Sequence, residues 1–329
     1  MSTYAEIVDA WERSRVMLGS CDRYTAVHSA ADARRFVPYF GGCEADEVKP
    51  AQVEDAMLDL LQHGGRNGSG LSKSSLRKSH MYGQKAVEWG IAHGMAAANV
   101  FEQVDRPKGR RSKAAALDAG QAARLASTAE DELRASMAGI VKKKKVDAAN
   151  TCMLALIALG TGMRRGEILG LQWSDVGQRH VSVNTAVKAG GEVGEPKNAT
   201  SVRRIAIGEN LSMLLAQFRA WQSKFRPARG FGDFDPVLCN VDGSRVSPNA
   251  VEHRWAEFAA DAGFPGLHLH SLRHTHATLL IAGGVDVKTV QTRLGHASAD
   301  MTMNVYAHAV PRNDEAAAVR IDGLLGGAR

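Results

Sequence analysis

Apolar residues recur with the helical period along the first third of the chain. In the first segment Tyr4, Ile7 and Trp11 fall on one face, and this spacing predicts an amphipathic helix. Segments with a similar pattern follow at residues 21–40, 51–64 and 74–94. Glycine pairs or a proline separate them, and both residue types mark helix ends. The pattern predicts an N-terminal domain made of helices.

The helical pattern returns beyond residue 115, with one exception. Residues 151–162 form an almost uniformly apolar run that ends in glycine, which is typical of a buried helix. Apolar and polar residues instead alternate through residues 179–207, which predicts a small antiparallel sheet of two or three strands. Lys197 falls at a turn of this sheet, between a proline and an asparagine. The predicted fold class is mainly α, with a helical domain followed by a mixed α+β domain.

The clearest boundary in the chain is the sequence DRPKGRRSK at residues 105–113. Proline and glycine interrupt any helix there, and the basic residues make the segment a cationic, extended tether. A chain of 329 residues is also longer than one hydrophobic core usually supports. We therefore predict a helical domain at residues 1–105, a basic linker at 106–114 and a second domain at 115–329.

Composition narrows the function classes only a little. Lysine and arginine exceed aspartate and glutamate by six, which suits an anionic partner but also occurs in proteins that bind nothing charged. The four cysteines form no CxxC pair, which supports neither a zinc knuckle nor a disulfide framework. No apolar run approaches the roughly 18 residues that span a bilayer, and the N-terminus lacks a signal-peptide pattern. We expect a soluble, cytoplasmic protein without a membrane partner.

One predicted helix, at residues 74–94, has a basic face beside its apolar face. The basic residues on it and just before it are Lys73, Arg77, Lys78, His80 and Lys85. Such a face either lies along a DNA duplex or is simply solvated. The predicted linker carries a second set of basic residues, which likewise either contact DNA or are simply solvated. Its members are Lys108, Arg110, Arg111 and Lys113.

Side chains suited to binding a phosphate or reacting with it are concentrated in residues 268–308. This stretch holds His270, Arg273, His296 and Tyr306. The chain has five tyrosines, and the other four lie in its first quarter. Chemistry in the second half that needs a phenol must therefore use Tyr306.

Five motifs occur in order along the chain: TGMRRGEILGLQW, PKN, HSLRHTHATLL, LGH and VY. Together they resemble the tyrosine recombinase (phage integrase) family over about residues 20–310, which implies the fold of the DNA breaking-rejoining enzymes. By this resemblance the N-terminal helical domain is a core-type DNA-binding domain and the second domain is catalytic. The catalytic residues that the resemblance implies are Arg164, Lys197, His270, Arg273, His296 and the nucleophile Tyr306. Glu167 matches the position of a supporting carboxylate.

The implied chemistry accounts for these residue types. Attack on a phosphodiester builds negative charge on its non-bridging oxygens, and two fixed guanidiniums, Arg164 and Arg273, suit that charge. The phenol of Tyr306 loses its proton as it attacks phosphorus, and the departing 5′ oxygen gains one. By resemblance Lys197 is the general acid, His270 assists proton transfer and His296 binds the phosphate. The cationic side chains take the place of a metal, so we expect no cofactor.

Several of these residues have simpler interpretations. Arg164 can instead cap a helix or pair with Glu167, and Arg165 beside it is a better candidate for that surface role. Lys188, also at a turn of the predicted sheet, is an alternative to Lys197 as the catalytic lysine. The remaining histidines of the cluster suggest zinc, but arginine among them would repel a cation. These histidines are His268, His274, His276 and His308.

The resemblance implies a site-specific DNA recombinase that cuts and rejoins DNA through a 3′-phosphotyrosine intermediate and a Holliday junction. Its expected partners are double-stranded recombination sites, further copies of the chain in a tetramer, and accessory factors of the host or of a mobile element. The alternatives are DNA relaxation in the manner of a type IB topoisomerase, a non-catalytic DNA-binding regulator and, more remotely, a zinc hydrolase. We expect a two-domain form without an arm-binding domain, and a C-terminal tail that docks either on a neighbouring protomer or on its own domain.

Overall fold

A computed structural model of the chain describes residues 2–108, 116–194, 201–225 and 234–295, together with 319, 321–323 and 325. The chain divides into two compact units, Met1–Lys113 and Ala114–Arg329. Their boundary falls within residues 106–114, the segment predicted as a linker. In the parts of the chain just given, no helix combines the length and the apolar character that a bilayer crossing requires.

The N-terminal unit is built from helices, and side-chain caps begin several of them. Thr3 accepts from the backbone N–H of Glu6, Asp22 from that of Thr25 and Ser72 from that of Ser75. Short 3₁₀ turns connect the helices at Arg34–Phe36, Ala45–Glu47, Arg66–Gly68 and Val100–Gln103. The helices are α1 (Tyr4–Met17), α2 (Arg23–Ala33), α3 (Val37–Phe40), α4 (Pro50–His63) and α5 (Lys73–Ala92).

Four aromatic rings form the centre of this unit. Tyr4, Phe36, Phe40 and Phe101 are each at most 2% exposed, and neighbouring ring centroids lie 5.0–6.2 Å apart. Such edge-to-face and offset pairs stabilise a core beyond the burial of their area. The ring of His80 also packs here, 5.4 Å from that of Phe101. His80 therefore does not belong to the basic face of α5, because its position along the helix points into the core.

The C-terminal unit contains the remaining helices and all the named strands. Its helices are α6 (Ala119–Met137), α7 (Lys143–Thr161), α8 (Arg165–Gly170), α9 (Glu209–Gln222), α10 (Pro248–Asp261), α11 (Leu269–Ala282) and α12 (Val287–Leu294). Its strands are β1 (His180–Val183), β2 (Ala186–Val187), β3 (Val193–Gly194) and β4 (Arg203–Ala206). Asp118 caps α6, as its position in the sequence suggests, by accepting from the N–H of Gln121.

Helix α7 is the central element of this unit. Residues 152–155 and Ile157 within it are fully buried, and the helix packs against α6, α8, α9, α10 and α11. A helix that is apolar all round is stable only when neighbours cover every face. The four lysines at 142–145 lie at the exposed end of this helix, where Lys143 pairs with Asp147.

The strands form two antiparallel pairs. Strand β1 pairs with β4, with Val181 opposite Ile205, and β2 pairs with β3, with Val187 opposite Val193. Helix α8 lies close to β2, since a Cβ added at Gly166 would come within 2.4 Å of the Val187 carbonyl oxygen. The predicted fold class, mainly α with a small antiparallel sheet, is confirmed.

Gly162 joins the central helix to α8 in a conformation that only glycine adopts easily. Its φ is +69°, and an added Cβ would lie 2.6 Å from Leu294 Cδ2 and 2.7 Å from His276 Cδ2. The matched position Gly263 also ends a helix with positive φ, +85°, but has no atom within 4 Å of such a Cβ.

We predict that Gly162→Ala destabilises the protein more than Gly263→Ala. Both variants carry the left-handed strain of about 1 kcal/mol, and only the first adds a clash, worth a further 1–3 kcal/mol or so. Urea unfolding of the two variants and the parent protein measures the difference. Equal losses would show that Leu294 and His276 move aside without cost.

Candidate active site

Arg164 stands at the start of α8, where α7 has just ended. Its backbone N–H donates to Glu167 Oε2 (2.9 Å) and its Nη1 to Glu167 Oε1 (2.7 Å). Its Nη2 donates to the carbonyl oxygen of Gly295 (3.1 Å). The simpler interpretation of Arg164, a helix cap paired with Glu167, is thus correct as a description of its contacts. It does not exclude a second role, because the side chain stays 34% exposed and two side-chain bonds leave other guanidinium donors.

Arg165 turns away from this pair. It donates to Glu252 at 2.6 Å, and the Glu252 side chain is 45% exposed. The sequence-based assignment of Arg165 to a surface ion pair agrees with these contacts.

Arg273 lies on α11 and is buried, with 3% of its surface exposed. Its Nη1 donates to the carbonyl oxygen of Gly162 and its Nη2 to that of Leu294, both at 2.7 Å. Burial, reinforced by the positive charge of Arg164, lowers the pKa of Arg273 to about 9, and Glu167 opposes the shift. The guanidinium is therefore still charged at neutral pH.

A third arginine, Arg203 on β4, shares the carboxylate of Glu167. Its Nη2 donates to Oε2 (2.9 Å) and its Nη1 to Oε1 (3.2 Å), in the two-pronged geometry that suits a guanidinium. Burial alone would raise the pKa of Glu167, but the bonds and charges of Arg203 and Arg164 outweigh it and hold the pKa below its ordinary value. Glu167 is therefore ionised at neutral pH.

Arg203 is not among the site residues predicted from the sequence, although one signal for it is present. Along β4, Arg203 and Ile205 occupy alternate positions and so point to the same face, and Ile205 is 1% exposed. An arginine that alternates with a buried isoleucine is directed inward and needs a charged or carbonyl partner.

The three arginines converge on the last turn of α12. Arg203 Nε donates to the carbonyl oxygen of Arg293 (2.7 Å), Arg273 to that of Leu294, and Arg164 to that of Gly295. Carbonyls at a helix C-terminus lack partners within the helix and carry partial negative charge. Arginines from three separate segments therefore hold three consecutive carbonyls directly before residue 296 in the sequence.

Two histidines of the HSLRHTHATLL motif, His270 and His274, lie one turn apart on α11. Their ring centroids are 4.9 Å apart at an angle of 89°. His270 is solvent-exposed, yet partial desolvation, followed by the positive charges of His274, Arg273 and Arg164, lowers its pKa. Its imidazole is therefore neutral at pH 7 and able to accept a proton.

His276 lies on the opposite side of α11, packed against the end of α7. Its Nδ1 donates to the Leu159 carbonyl oxygen (2.7 Å), and its Nε2 accepts from Arg293 Nε (3.0 Å). Burial lowers its pKa to about 4, against the opposing effect of the Leu159 bond. Arg293 Nη2 also donates to the Gly160 carbonyl oxygen (2.9 Å), so His276 and Arg293 together tie α12 to α7.

Three of the predicted catalytic residues, Lys197, His296 and Tyr306, lie outside the described residues. The alternative lysine, Lys188, is exposed in the turn between β2 and β3, where its carbonyl oxygen accepts from the Gly191 N–H (2.9 Å). Within the described segments, no group of three or more His, Cys, Asp or Glu residues is placed to hold a metal ion.

The predicted DNA-binding residues of α5 lie on one side of that helix. The exposed residues are Lys73, Arg77, Lys78 and Lys85. Leu76, Ala86 and Val87 form part of the opposite, buried side. Lys108 is also exposed, whereas Arg110, Arg111 and Lys113 lie outside the described residues.

Comparison with known proteins identifies the family. The sequence model of the phage integrase family matches residues 121–312, more than half of the chain. The chain therefore belongs to the phage integrase family, and the resemblance drawn from its motifs is confirmed.

Individual relatives agree with this assignment. A tyrosine recombinase XerC-like protein of Caldanaerobacter subterraneus is 29% identical over 191 residues, which cover 52% of this chain and 49% of the relative. The tyrosine recombinase XerC of Mycobacterium sp. (strain KMS) is 27% identical over 304 residues, 89% of this chain and 93% of the relative. The chain spans about half the length of the first of these relatives and nearly all of the second.

A solved structure confirms the fold. The Tn1549 transposon integrase in complex with a circular intermediate DNA matches with a TM-score of 0.75 and 20% identity, covering 97% of this chain and all of that one. At this identity the match shows a shared fold and nothing further.

We predict that Glu167→Gln destabilises the protein in a pH-dependent way. The folded-state pKa of Glu167 is lowered, so its stabilisation is fully present above the unfolded value of about 4.3 and is lost as pH falls through the folded value. Removing the charge between two arginines should cost about 3 kcal/mol at pH 7. Urea unfolding at pH 7 and in steps below pH 4 should show the difference from the parent protein shrinking.

Glu252→Gln provides the matched control. Its pair with Arg165 is half exposed, so the loss should stay below about 1 kcal/mol. A Glu167→Gln loss that stayed the same at every pH would mean that the charge of Glu167 does not account for its contribution.

Proposed function

We propose that the protein is a site-specific DNA recombinase that cuts and rejoins duplex DNA through a 3′-phosphotyrosine. The observation that carries this proposal is the convergence of Arg164 and Arg273, from widely separated segments, on the consecutive carbonyls of Leu294 and Gly295 at the end of α12. Two guanidiniums fixed side by side suit the non-bridging oxygens of one phosphate. Membership of the phage integrase family and relatives named as tyrosine recombinases support this function.

In the first step the Tyr306 oxygen attacks phosphorus and forms a phosphotyrosine bond, while the bond to the 5′ oxygen breaks. Arg164 and Arg273 stabilise the charge that develops on the non-bridging oxygens. The proton of the phenol passes to a base, for which neutral His270 is suited, and the leaving oxygen takes a proton from Lys197. His296 completes the phosphate contacts. These roles are those that the family resemblance assigns to the matching positions.

Strand exchange follows from the chemistry of the intermediate. The phosphotyrosine diester keeps the energy of the broken bond, so the 5′ hydroxyl of a second strand reverses the step without another energy source. Two such rounds create and resolve a Holliday junction between two duplexes. This requires four active sites, and we propose a homotetramer assembled on DNA in the bacterial cytoplasm. We further propose that the recombination sites belong to a mobile element and that accessory factors of the host or of the element take part.

The N-terminal unit supplies the proposed grip on the duplex. The exposed basic side of α5 offers cations to the phosphates, and Lys108 is exposed as well. Contacts of this kind give affinity and orientation, while base contacts determine the target sequence.

The main rival is a topoisomerase that performs only cleavage and resealing within one duplex. The chemistry of the first step is the same, so the site alone does not separate the two. The relatives favour recombination, because they are named as recombinases and integrases. A non-catalytic regulator is disfavoured because the sequence retains all six matching catalytic residues, including Tyr306.

We predict that Tyr306→Phe abolishes the covalent protein–DNA adduct on a nicked duplex that traps cleaved product. The variant lacks the attacking oxygen but keeps the cationic groups, so its affinity for the duplex should remain within about twofold of the parent value. Denaturing gels measure the adduct, and gel shift measures binding. Tyr24→Phe, which removes a hydroxyl from an exposed tyrosine of the N-terminal unit, should leave both unchanged.

An adduct that forms with Tyr306→Phe would exclude Tyr306 as the nucleophile. Loss of the adduct with Tyr24→Phe as well would indicate that the assay reports on folding or binding.

We also predict joint products between two short duplexes that carry the recombination site. Strand exchange gives recombinant lengths because each 5′ hydroxyl can attack the phosphotyrosine of the other duplex. Two differently labelled duplexes resolved on a native gel test this result. Relaxation of supercoiled DNA with no joint product, under conditions in which the adduct forms, would favour the topoisomerase.

A further inference from the structure

Of the three arginines that meet at the end of α12, Arg203 makes the most side-chain hydrogen bonds. Its Nε donates to the Arg293 carbonyl oxygen (2.7 Å), its Nη1 to the Ser201 carbonyl oxygen (2.8 Å) and to Glu167 (3.2 Å), and its Nη2 to Glu167 (2.9 Å). Its side chain is 6% exposed, compared with 34% for Arg164. Arg203 is therefore directed toward the protein, whereas Arg164 retains access to solvent.

The partners of Arg203 are the groups that orient the phosphate-binding residues. Glu167 holds both the backbone and the guanidinium of Arg164. The end of α12, where Arg203 donates to the Arg293 carbonyl oxygen, also accepts hydrogen bonds from Arg273 and Arg164. One side chain thus links the carboxylate behind Arg164 with the helix end that both phosphate-binding arginines use.

The forked shape of the guanidinium is needed for this linkage. Arg203 binds both oxygens of Glu167 while a third nitrogen reaches α12, which requires several donors in one rigid plane. A lysine has a single nitrogen and cannot span Glu167 and the Arg293 carbonyl together in the same way. If this link is lost, Glu167 can rotate toward Arg164 alone and the end of α12 loses one of its three arginine contacts.

We propose that Arg203 is a positioning residue for the cleavage step, acting through Glu167 and the end of α12 and not through the phosphate. This inference rests on the proposed recombinase function. It assigns a role to a residue of β4 that lies outside the six catalytic positions matched by the motifs.

The test compares Arg203→Lys with Arg204→Lys in the full chain. Arg204 is adjacent in the same strand but exposed, and its side chain donates a hydrogen bond to His180 Nδ1 (2.8 Å). Single-turnover adduct formation on the nicked duplex gives the rate, and gel shift gives the affinity. We expect Arg203→Lys to slow adduct formation by about 100-fold, because a shift of about 1 Å in the reacting groups has an effect of that size. The affinity for the duplex should stay within about twofold of the parent value. Arg204→Lys should cleave at the parent rate.

A double-mutant cycle separates positioning from general damage. If Arg203 acts through Glu167, adding Arg203→Lys to Glu167→Gln should slow cleavage by much less than it does in the parent protein. Rate losses that multiply would show independent action and overturn the proposal, as would a parallel loss of DNA affinity or a parent-like rate for Arg203→Lys.

Glu167→Asp keeps the test decisive if Arg203→Lys does not fold. It retains every charge but shortens the carboxylate by one methylene, so it cannot meet Arg203 and Arg164 at their present positions. Positioning predicts a similar slowing at unchanged affinity, and a parent-like rate would overturn it. Absence of any adduct with the parent protein would instead count against the proposed recombinase function.

Discussion

The site depends on keeping three guanidinium groups close together. Arg164, Arg203 and Arg273 repel one another, and burial of Arg273 and of the Arg203 side chain removes much of the water that would screen them. The carboxylate of Glu167 and the partial negative charge at the end of α12 compensate for this repulsion. Neither is sufficient alone: Glu167 contacts two of the arginines, and the carbonyls of residues 293–295 receive one bond from each of the three.

As a result, the positively charged guanidiniums are already in position in the free protein. The contacts fix the planes of Arg164 and Arg273 before any DNA arrives, so the ordering cost is met in folding and not during the reaction. The lowered pKa of Arg273 reflects the same crowding of positive charge. A phosphate entering the site would relieve part of the repulsion, which is why a cluster that is costly in the free protein suits an anionic transition state.

Much of the fold could be read from the sequence, because burial determines the pattern of residues along each element. The apolar stretch at 151–162 predicts a buried helix, and α7 is one. The small antiparallel sheet has a local signal too, and the division between the two compact units falls within residues 106–114, where proline and glycine interrupt the helical pattern. His80 was placed on the wrong side of its helix, since charge type alone suggested solvent. Arg203 was overlooked because it lies in no recognisable motif, and only its alternation with Ile205 hinted that it points inward.

The sequence by itself determined the kind of chemistry: it supplied two arginines, the histidines and a lone phenol in an order that matches one family. Tertiary structure alone decided that Arg203 joins Arg164 at Glu167, that His276 and Arg293 tie α12 to α7, and that the three arginines meet at consecutive carbonyls. The physical reason is that motifs record side chains that contact substrate, whereas the partners here, apart from Glu167 and the His276–Arg293 bond, are backbone carbonyls. Any residue type can provide a carbonyl, so the sequence carries no mark of it until the chain has folded.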